Sequence, residues 1–303
     1  MALGLCLALL LLGSDESRVA LEGQVGAGGG YEGNLTLAPT GEPTSGSALV
    51  AGWAGFGVGW DPGETTHLSA GLRYDGAYYP DATDLSRNSA GLDLLWIQGI
   101  GEVVAVVAAM GGAWSWYSDP ARSGPGIALR ATLRVKPWDW LAVRAGYGYT
   151  QRWAAVDAYS TSSNRIFASV EGRIASGIYL GLGYSWQTGE QTFYASVPVP
   201  TPVAALRNGT GRATGAGPDA GSGPGSGPGT GPGGGGGSPQ GSGVFESLVP
   251  YRASTTDNTV TPTFEAAIWK ELYVFANYSF TWGSSVEGSY TAQFGLAGVG
   301  YRF

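Results

Sequence analysis

The stretch YTAQFGLAGVGYRF at residues 290–303 decides the fold that the rest of the chain must complete. Every second residue counted back from Phe303 belongs to one set, which contains Tyr301, Val299, Ala297 and Gly295. The residues between them are Arg302, Gly300, Gly298 and Leu296. Alternation with a period of two is typical of a β-strand whose two faces meet different surroundings. The stretch therefore predicts a final strand with one apolar face and one small or polar face.

A final strand ending in Tyr-Arg-Phe resembles the C-terminal assembly signal of bacterial outer-membrane β-barrel proteins. The match rests on Phe303, Tyr301 and Val299, whereas Phe294 and Leu296 fall on the opposite phase. The resemblance implies a place in the cell outer membrane, with outer-membrane lipid and the barrel assembly machinery as partners. We therefore expect the three matching residues to act as an assembly signal, and this strand to close a barrel against the first strand.

The amino-acid composition fits the wall of a transmembrane β-barrel. The 303 residues suffice for one large β-barrel or two ordinary domains. They include 53 Gly, 11 Trp, 16 Tyr and 9 Phe, but only 13% are charged, whereas a soluble domain averages about 25% charged residues. Abundant glycine and aromatic residues with sparse charge indicate strands that alternate lipid-facing and lumen-facing positions. The alternative is a soluble β-sandwich joined to a Gly-rich linker.

Charge and cysteine content argue against several functional classes. The net charge of −7 argues against a nucleic-acid partner. Cys6 is the single cysteine, so an intramolecular disulfide is excluded. One His and one Cys argue against a zinc site of imidazole and thiolate ligands. No phosphate loop, metal-ligand spacing or paired-carboxylate motif is present, so we expect no cofactor and no metal.

The N-terminus has the character of a targeting segment. The run MALGLCLALLLL at residues 1–12 is shorter than the roughly 20 residues that a membrane-spanning helix needs. It is typical of the apolar region of a secretory signal peptide. We therefore predict a signal peptide at residues 1–14 and a single barrel domain at residues 15–303.

Segments of about ten residues with alternating character follow along the chain. They predict twelve strands, at residues 18–31, 48–60, 66–79, 89–97, 103–116, 127–136, 140–152, 164–174, 178–188, 259–269, 272–282 and 290–303. Residues 215–243 are almost wholly Gly, Pro and Ser, and such a segment buries too little apolar surface to order itself. It predicts a disordered Gly/Pro/Ser-rich loop at about residues 189–258.

The connections alternate between long and short, and every short connection follows an even-numbered strand. Outer-membrane barrels have an even number of strands, short periplasmic turns and longer extracellular loops. The pattern therefore predicts an all-β, closed antiparallel transmembrane β-barrel of 12 strands. Both termini should be periplasmic, and the Gly-rich loop should be extracellular. Aromatic residues near the strand ends fit the interfacial girdles of such barrels.

Charged side chains fall on the phase that should face the lumen. A basic wall is predicted on strands six to eight from Arg130, Arg134, Lys136, Arg144, Arg152, Arg165 and Arg173. A more acidic wall is predicted on strands one, three, four and ten from Glu22, Asp75, Asp93 and Glu265. In a water-filled lumen these walls would set up a transverse field that acts on ionic solutes. The alternative is that the side chains meet across a narrow barrel and fill it with ion pairs.

His67 and Ser69 form a second candidate site. A His-x-Ser pair on one strand face resembles the motif of outer-membrane phospholipases and lipid A deacylases. In that resemblance His67 would act as general base on Ser69. Here Ala70 and Gly71 follow the pair, where those families have Asn-Gly. The pair is also placed at the periplasmic start of its strand, and the simpler interpretation is a polar lumen residue near a turn.

The sequence thus predicts a non-enzymatic outer-membrane barrel. It would serve either as a porin-like passive channel or as a structural or surface-display barrel. The alternative function is a lipid hydrolase that uses His67 and Ser69. Pore radius, solute and oligomeric state leave no signal in the sequence.

Overall fold

A computed structural model of the chain describes residues 18–35, 37, 45–196, 248–269, 271–286 and 288–303. The predicted signal peptide at residues 1–14 and the Gly-rich segment at residues 215–243 lie outside these described residues. Within the described ranges, no helix is long and apolar enough to cross a membrane.

Twelve strands form the wall, and each pairs antiparallel with its neighbours along the chain. They are β1 (Arg18–Gly33), β2 (Ser47–Gly63), β3 (Thr66–Tyr78), β4 (Arg87–Ile100), β5 (Val104–Tyr117), β6 (Gly124–Trp138), β7 (Leu141–Arg152), β8 (Thr161–Ala175), β9 (Ile178–Ser196), β10 (Leu248–Trp269), β11 (Leu272–Ser285) and β12 (Gly288–Arg302). β1 also pairs with β12, so the sheet closes on itself and leaves no free edge. The predicted closed antiparallel barrel of 12 strands is confirmed.

The two ends of the barrel differ. At the turn end, all connections between strands are two or three residues long, and β1 begins and β12 ends there. At the loop end lie the longer connections, three of which contain short 3-10 helices at Thr83–Leu85, Pro120–Arg122 and Asp157–Tyr159. Only residues 286–287 join β11 to β12, so the gap between the predicted strands at residues 272–282 and 290–303 is too long.

Several strands extend further toward the loop end than predicted. β9 reaches Ser196 and β10 begins at Leu248, whereas the sequence predicted an end at residue 188 and a start at residue 259. Their backbone ladder continues through polar positions, such as Thr192 opposite Arg252. Backbone hydrogen bonds need no apolar side chains, so alternation of hydrophobicity does not mark this part of a strand. The described strands therefore occupy both flanks of the predicted loop at about residues 189–258.

The alternating phases face opposite sides of the wall. Phe56 lies opposite Leu72, which in turn lies opposite Leu92, and such rows form an apolar outer surface. Leu72 and Leu92 are 63% and 62% exposed, which would be costly in water but suits contact with lipid. Glycine, small polar and charged residues occupy the inner phase, among them Gly71 and Asp93.

The final strand closes the ring as predicted. Val25 lies opposite Tyr301, and Ala27 lies opposite Val299. The backbone of Phe303 exchanges two hydrogen bonds with Gly23, at N···O distances of 2.9 and 3.0 Å. A Cβ atom at Gly23 would lie 2.2 Å from Cζ of Phe303, so the missing side chain makes room for the ring.

Candidate functional site in the barrel lumen

The lumen is narrow because of the strand number. Twelve strands about 4.8 Å apart and tilted by about 45° give a backbone diameter of about 25 Å. Inward side chains reduce this opening from all sides. The barrel therefore falls between packed eight-stranded barrels and open sixteen-stranded porins.

Among the described residues, four cavities can be traced within the lumen. The turn-end cavity (740 Å³) contains Arg134, Arg144 and Arg302 in its lining. The mid-lumen cavity (400 Å³) is lined in part by Arg130 and Arg165. The other two have volumes of 380 and 240 Å³.

These cavities adjoin one another through shared lining residues. Arg302 lines both the turn-end cavity and the 380 Å³ cavity. Arg73 lines both the 380 Å³ and the 240 Å³ cavities. Thr150 lines the 240 Å³ cavity and the mid-lumen cavity. The cavities thus lie next to one another within the lumen, with arginine side chains at two of the places where they meet.

Arg130 and Arg165 face the mid-lumen cavity from the same cross-strand row. Both pair with Gly148 on β7, so their backbones lie two strand spacings, or about 10 Å, apart. The guanidinium of Arg130 stacks over Phe167, 4.3 Å from the ring centroid. Neither arginine forms an ion pair with any described residue. Two positive charges therefore border this cavity without a local counter-charge.

Arg134 and Arg144 lie directly opposite each other on β6 and β7. Arg144 forms a two-pronged contact with Glu171, with both N···O distances at 3.3 Å. Arg134 has no ion-pair partner in the described part of the chain and lines the turn-end cavity. Of the predicted basic wall, Arg130, Arg134 and Arg165 thus line lumenal cavities and have no ion-pair partner among the described residues.

The other three predicted basic residues are placed differently. Lys136 pairs with Asp139 of the turn at 3.2 Å. Arg152 donates to the carbonyl of Tyr159 at 2.6 Å and so supports a loop, although it also lines the 240 Å³ cavity. Arg173 lies near the turn end of β8 and lines none of the four cavities described above.

The predicted acidic residues face inward, and three of the four lie beside an arginine. Asp93 and Asp75 lie 3.0 and 3.4 Å from Arg73. Glu265 forms a two-pronged contact with Arg302, at 2.8 and 2.9 Å. Glu22 lies 3.5 Å from Nε2 of His67. Asp75, Asp93 and Glu265 thus lie beside arginines, whereas Glu22 lies beside a histidine that is charged only when it is protonated.

The lumenal ion pairs do not bridge the barrel. Arg73 and Asp93 lie on adjacent strands, as do Arg144 and Glu171. Arg302 reaches Glu265 across one intervening strand. None of the ion pairs found between described residues crosses the lumen, so the alternative of an ionic plug finds no support in these contacts.

The His67–Ser69 pair does not have the geometry of a general base and its nucleophile. Nδ1 of His67 lies 2.8 Å from a carboxylate oxygen of Asp61, and Nε2 faces Glu22 at 3.5 Å. Both ring nitrogens thus face carboxylates rather than the hydroxyl of Ser69. His67 consequently ties β3 to the ends of β1 and β2.

Several lumenal residues were missing from the predicted site. Arg73 and Arg302 form ion pairs with Asp93 and Glu265, while Trp53, Tyr273 and Phe275 line the turn-end cavity. All five fall on the inward phase of their strands, so the alternation rule contained the signal. The prediction considers the charged residues of each wall and the aromatic residues near strand ends, so it leaves out aromatic residues on the inward phase.

A further concavity lies outside the lumen. It has a volume of 820 Å³, and most of its lining residues belong to the outward phase of β2 to β7. They include Trp60, Leu68, Leu94, Trp96 and Met110. This mainly apolar surface is part of the outer wall, although Arg130 also contributes to its lining.

Two loops brace each other at the loop end. The buried guanidinium of Arg122 stacks over Tyr159, 4.5 Å from the ring centroid, and lies 3.4 Å from Asp119. Burial raises the pKa of the Tyr159 phenol, although the Arg122 charge opposes this. The phenol therefore stays neutral near pH 7, and this contact does not depend on pH in that range.

Comparison with known proteins bears on the fold. No protein-family model matches the chain, and no curated protein matches it in sequence. An outer membrane channel of Pseudomonas putida F1 is similar in structure, with a TM-score of 0.54 and 10% identity over 96% of this chain and 98% of that chain. The KdgM porin (TM-score 0.44, 8% identity) covers 92% of this chain and 99% of its own. The channel DcaP of Acinetobacter baumannii (TM-score 0.40, 11% identity) covers 96% and 99%. The chain has the closed barrel fold of bacterial outer-membrane proteins.

Proposed function

We propose that the protein is an outer-membrane channel that passes small anions in preference to cations. The observation that carries this proposal is the placement of Arg130, Arg134 and Arg165 inside the barrel without carboxylate partners among the described residues. Unpaired charge that lines a narrow aqueous path raises the local concentration of counter-ions. The similar Pseudomonas putida protein is named a channel, so the fold is compatible with conduction.

The predicted acidic residues strengthen this conclusion. Asp93 and Glu265 pair with Arg73 and Arg302, and no ion pair joins either carboxylate to Arg130, Arg134 or Arg165. The net charge of −7 for the whole chain does not decide selectivity, since an ion in the lumen responds to charges within about one Debye length, or about 10 Å at 0.1 M salt.

Planar-bilayer recording tests conduction itself. Refolded protein should produce discrete, reproducible current steps above the background of protein-free bilayers. Barrels shown to be folded by circular dichroism that give no steps would contradict the channel and favour a structural or surface-display barrel.

We also infer that the turn end faces the periplasm, since short periplasmic turns and longer outer loops are the rule for such barrels. Two variants test this orientation on intact cells with a membrane-impermeant thiol reagent. Val156→Cys at the loop end should be labelled, whereas Asp139→Cys at the turn end should react only after the outer membrane is opened. The reverse pattern would contradict the orientation.

A further inference from the structure

The turn-end cavity has two chemically different sides. Arg134, Arg144 and Glu171 line it from β6 to β8, while Trp53 and Phe275 line it from β2 and β11. β11 lies five positions from β6 in the closed ring, so the cavity extends across the lumen. Its volume of 740 Å³ lies in the range of about 300–1,000 Å³ that is typical of small-molecule sites.

On the aromatic side, the indole of Trp53 packs over a glycine. A Cβ atom at Gly26 would lie 2.2 Å from Cζ2 of Trp53, so the indole covers this glycine. Trp53 and Phe275 meet edge to face, with ring centroids 5.3 Å apart and an interplanar angle of 66°. Both rings are partly exposed, although inward positions of a water-filled barrel are normally polar. Exposed aromatic surface at such a position offers a stacking partner for a ring.

A second aromatic ring on this side is already covered. Tyr273 is buried, its ring lies over Gly300, and the guanidinium of Arg302 stacks on it 4.1 Å from the centroid. Arg302 is in turn held by Glu265. On β2 and β11, the ring surface that is left for a ligand is therefore that of Trp53 and Phe275, and the partly exposed Tyr179 of β9 also lines the cavity.

The charged side leaves one cation for a ligand. Three arginines and two glutamates line the cavity, and two of the arginines, Arg144 and Arg302, are paired with Glu171 and Glu265. Arg134 has no such partner within the described ranges. A guanidinium binds a carboxylate through two parallel hydrogen bonds, which gives both strength and orientation.

We propose that this cavity binds a carboxylate that is attached to a ring. The carboxylate pairs with Arg134, and the ring packs against Trp53 and Phe275 on the far side. The ring is either aromatic or a sugar, because the face of an aromatic side chain accepts both. Asn277 and Thr263 also line the cavity and supply polar groups for the rim of the ligand.

Equilibrium dialysis of the refolded barrel tests this binding, with benzoate and glucuronate as the two ring acids. Hexanoate serves as the acid without a ring, and benzyl alcohol as the ring without a charge. At least one ring acid should bind tenfold or more tightly than both comparison compounds. Binding of benzoate alone assigns an aromatic acid, and binding of glucuronate alone assigns a sugar acid. Equal binding of all four compounds, or no binding, would overturn the proposal.

Variants locate the site within the lumen. Arg134→Gln should weaken binding of the ring acid by about tenfold or more, since a charge-assisted hydrogen bond is lost. Phe275→Leu should weaken it by about threefold to tenfold through loss of stacking. Matched controls in the mid-lumen cavity, Arg165→Gln and Phe167→Leu, should leave binding unchanged. Equal losses in control and site variants would overturn the assignment to this cavity.

The inference rests on the proposed function only in that the cavity lies on the permeation path. Dialysis measures binding whether or not the barrel conducts. Current steps without binding would refute the ligand site alone, whereas binding without current steps would refute the channel alone.

Discussion

Neutralising the unpaired arginines should abolish most of the anion preference. With the guanidinium groups about 6 Å from the axis of a barrel of this size, each charge interacts with an ion on the axis by about 0.7 kcal/mol in water. Screening at 0.1 M salt reduces this value to about 0.4 kcal/mol. Each charge then raises the anion concentration in the lumen about twofold and lowers the cation concentration there about twofold. One substitution therefore changes the ratio of anion to cation permeability about fourfold. Three independent substitutions change it by about 50-fold.

The assay is the reversal potential in a salt gradient, recorded for Arg130→Gln, Arg134→Gln, Arg165→Gln and the triple variant. Lys136→Gln is the control, since Lys136 is paired with Asp139 at the turn end. Lys136→Gln should keep the wild-type ratio. A triple variant with wild-type selectivity, or a control that shifts as far as the single variants, would refute the electrostatic account. The shifts should also shrink as salt concentration rises, because the charges are screened.

Further predictions concern the lipid-facing wall, the contact between β1 and β12, the alternative hydrolase function and the Gly-rich segment. Gly23→Val should displace the Phe303 ring and lower outer-membrane levels, yet add little to Phe303→Ala in the double variant, as quantified by immunoblot of outer-membrane fractions. Leu92→Arg should destabilise the barrel by about 2–4 kcal/mol in urea unfolding in vesicles, whereas Leu92→Val should change it little. Ser69→Ala should leave phospholipid turnover at the level of wild type. Loss of turnover in this variant alone would support the lipid hydrolase instead. Deleting residues 215–243 should leave heat-modifiable mobility on gels intact, and loss of folded protein would contradict the predicted disorder.

The wall was predictable because one rule governs it. A strand between lipid and a lumen alternates in polarity, so the sequence alone assigns Leu68, Ala70 and Leu72 outward and His67 and Arg73 inward. The closing pair of β1 and β12 followed from the need to leave no free edge. The rule failed where the strands extend past the apolar band, as at residues 189–196 and 248–258.

The site was only partly predictable. Alternation shows which residues face inward, but not which inward residues meet, because contacts depend on the stagger of the strands around the ring. Arg302 and Glu265 are 37 positions apart in sequence and pair over Tyr273, so no local pattern reveals them. Trp53 and Phe275 meet because Gly26 leaves space under the indole, and that too depends on register. Which lumenal charges form ion pairs therefore follows from the structure and not from the sequence.

The reversal potential of the wild-type channel under a tenfold potassium chloride gradient tests the central claim most directly. Unpaired cations at Arg130, Arg134 and Arg165 predict a potential with the sign of chloride selectivity, which should approach zero as the salt concentration on both sides is raised. A zero potential at low salt, or one with the sign of potassium selectivity, would contradict the account.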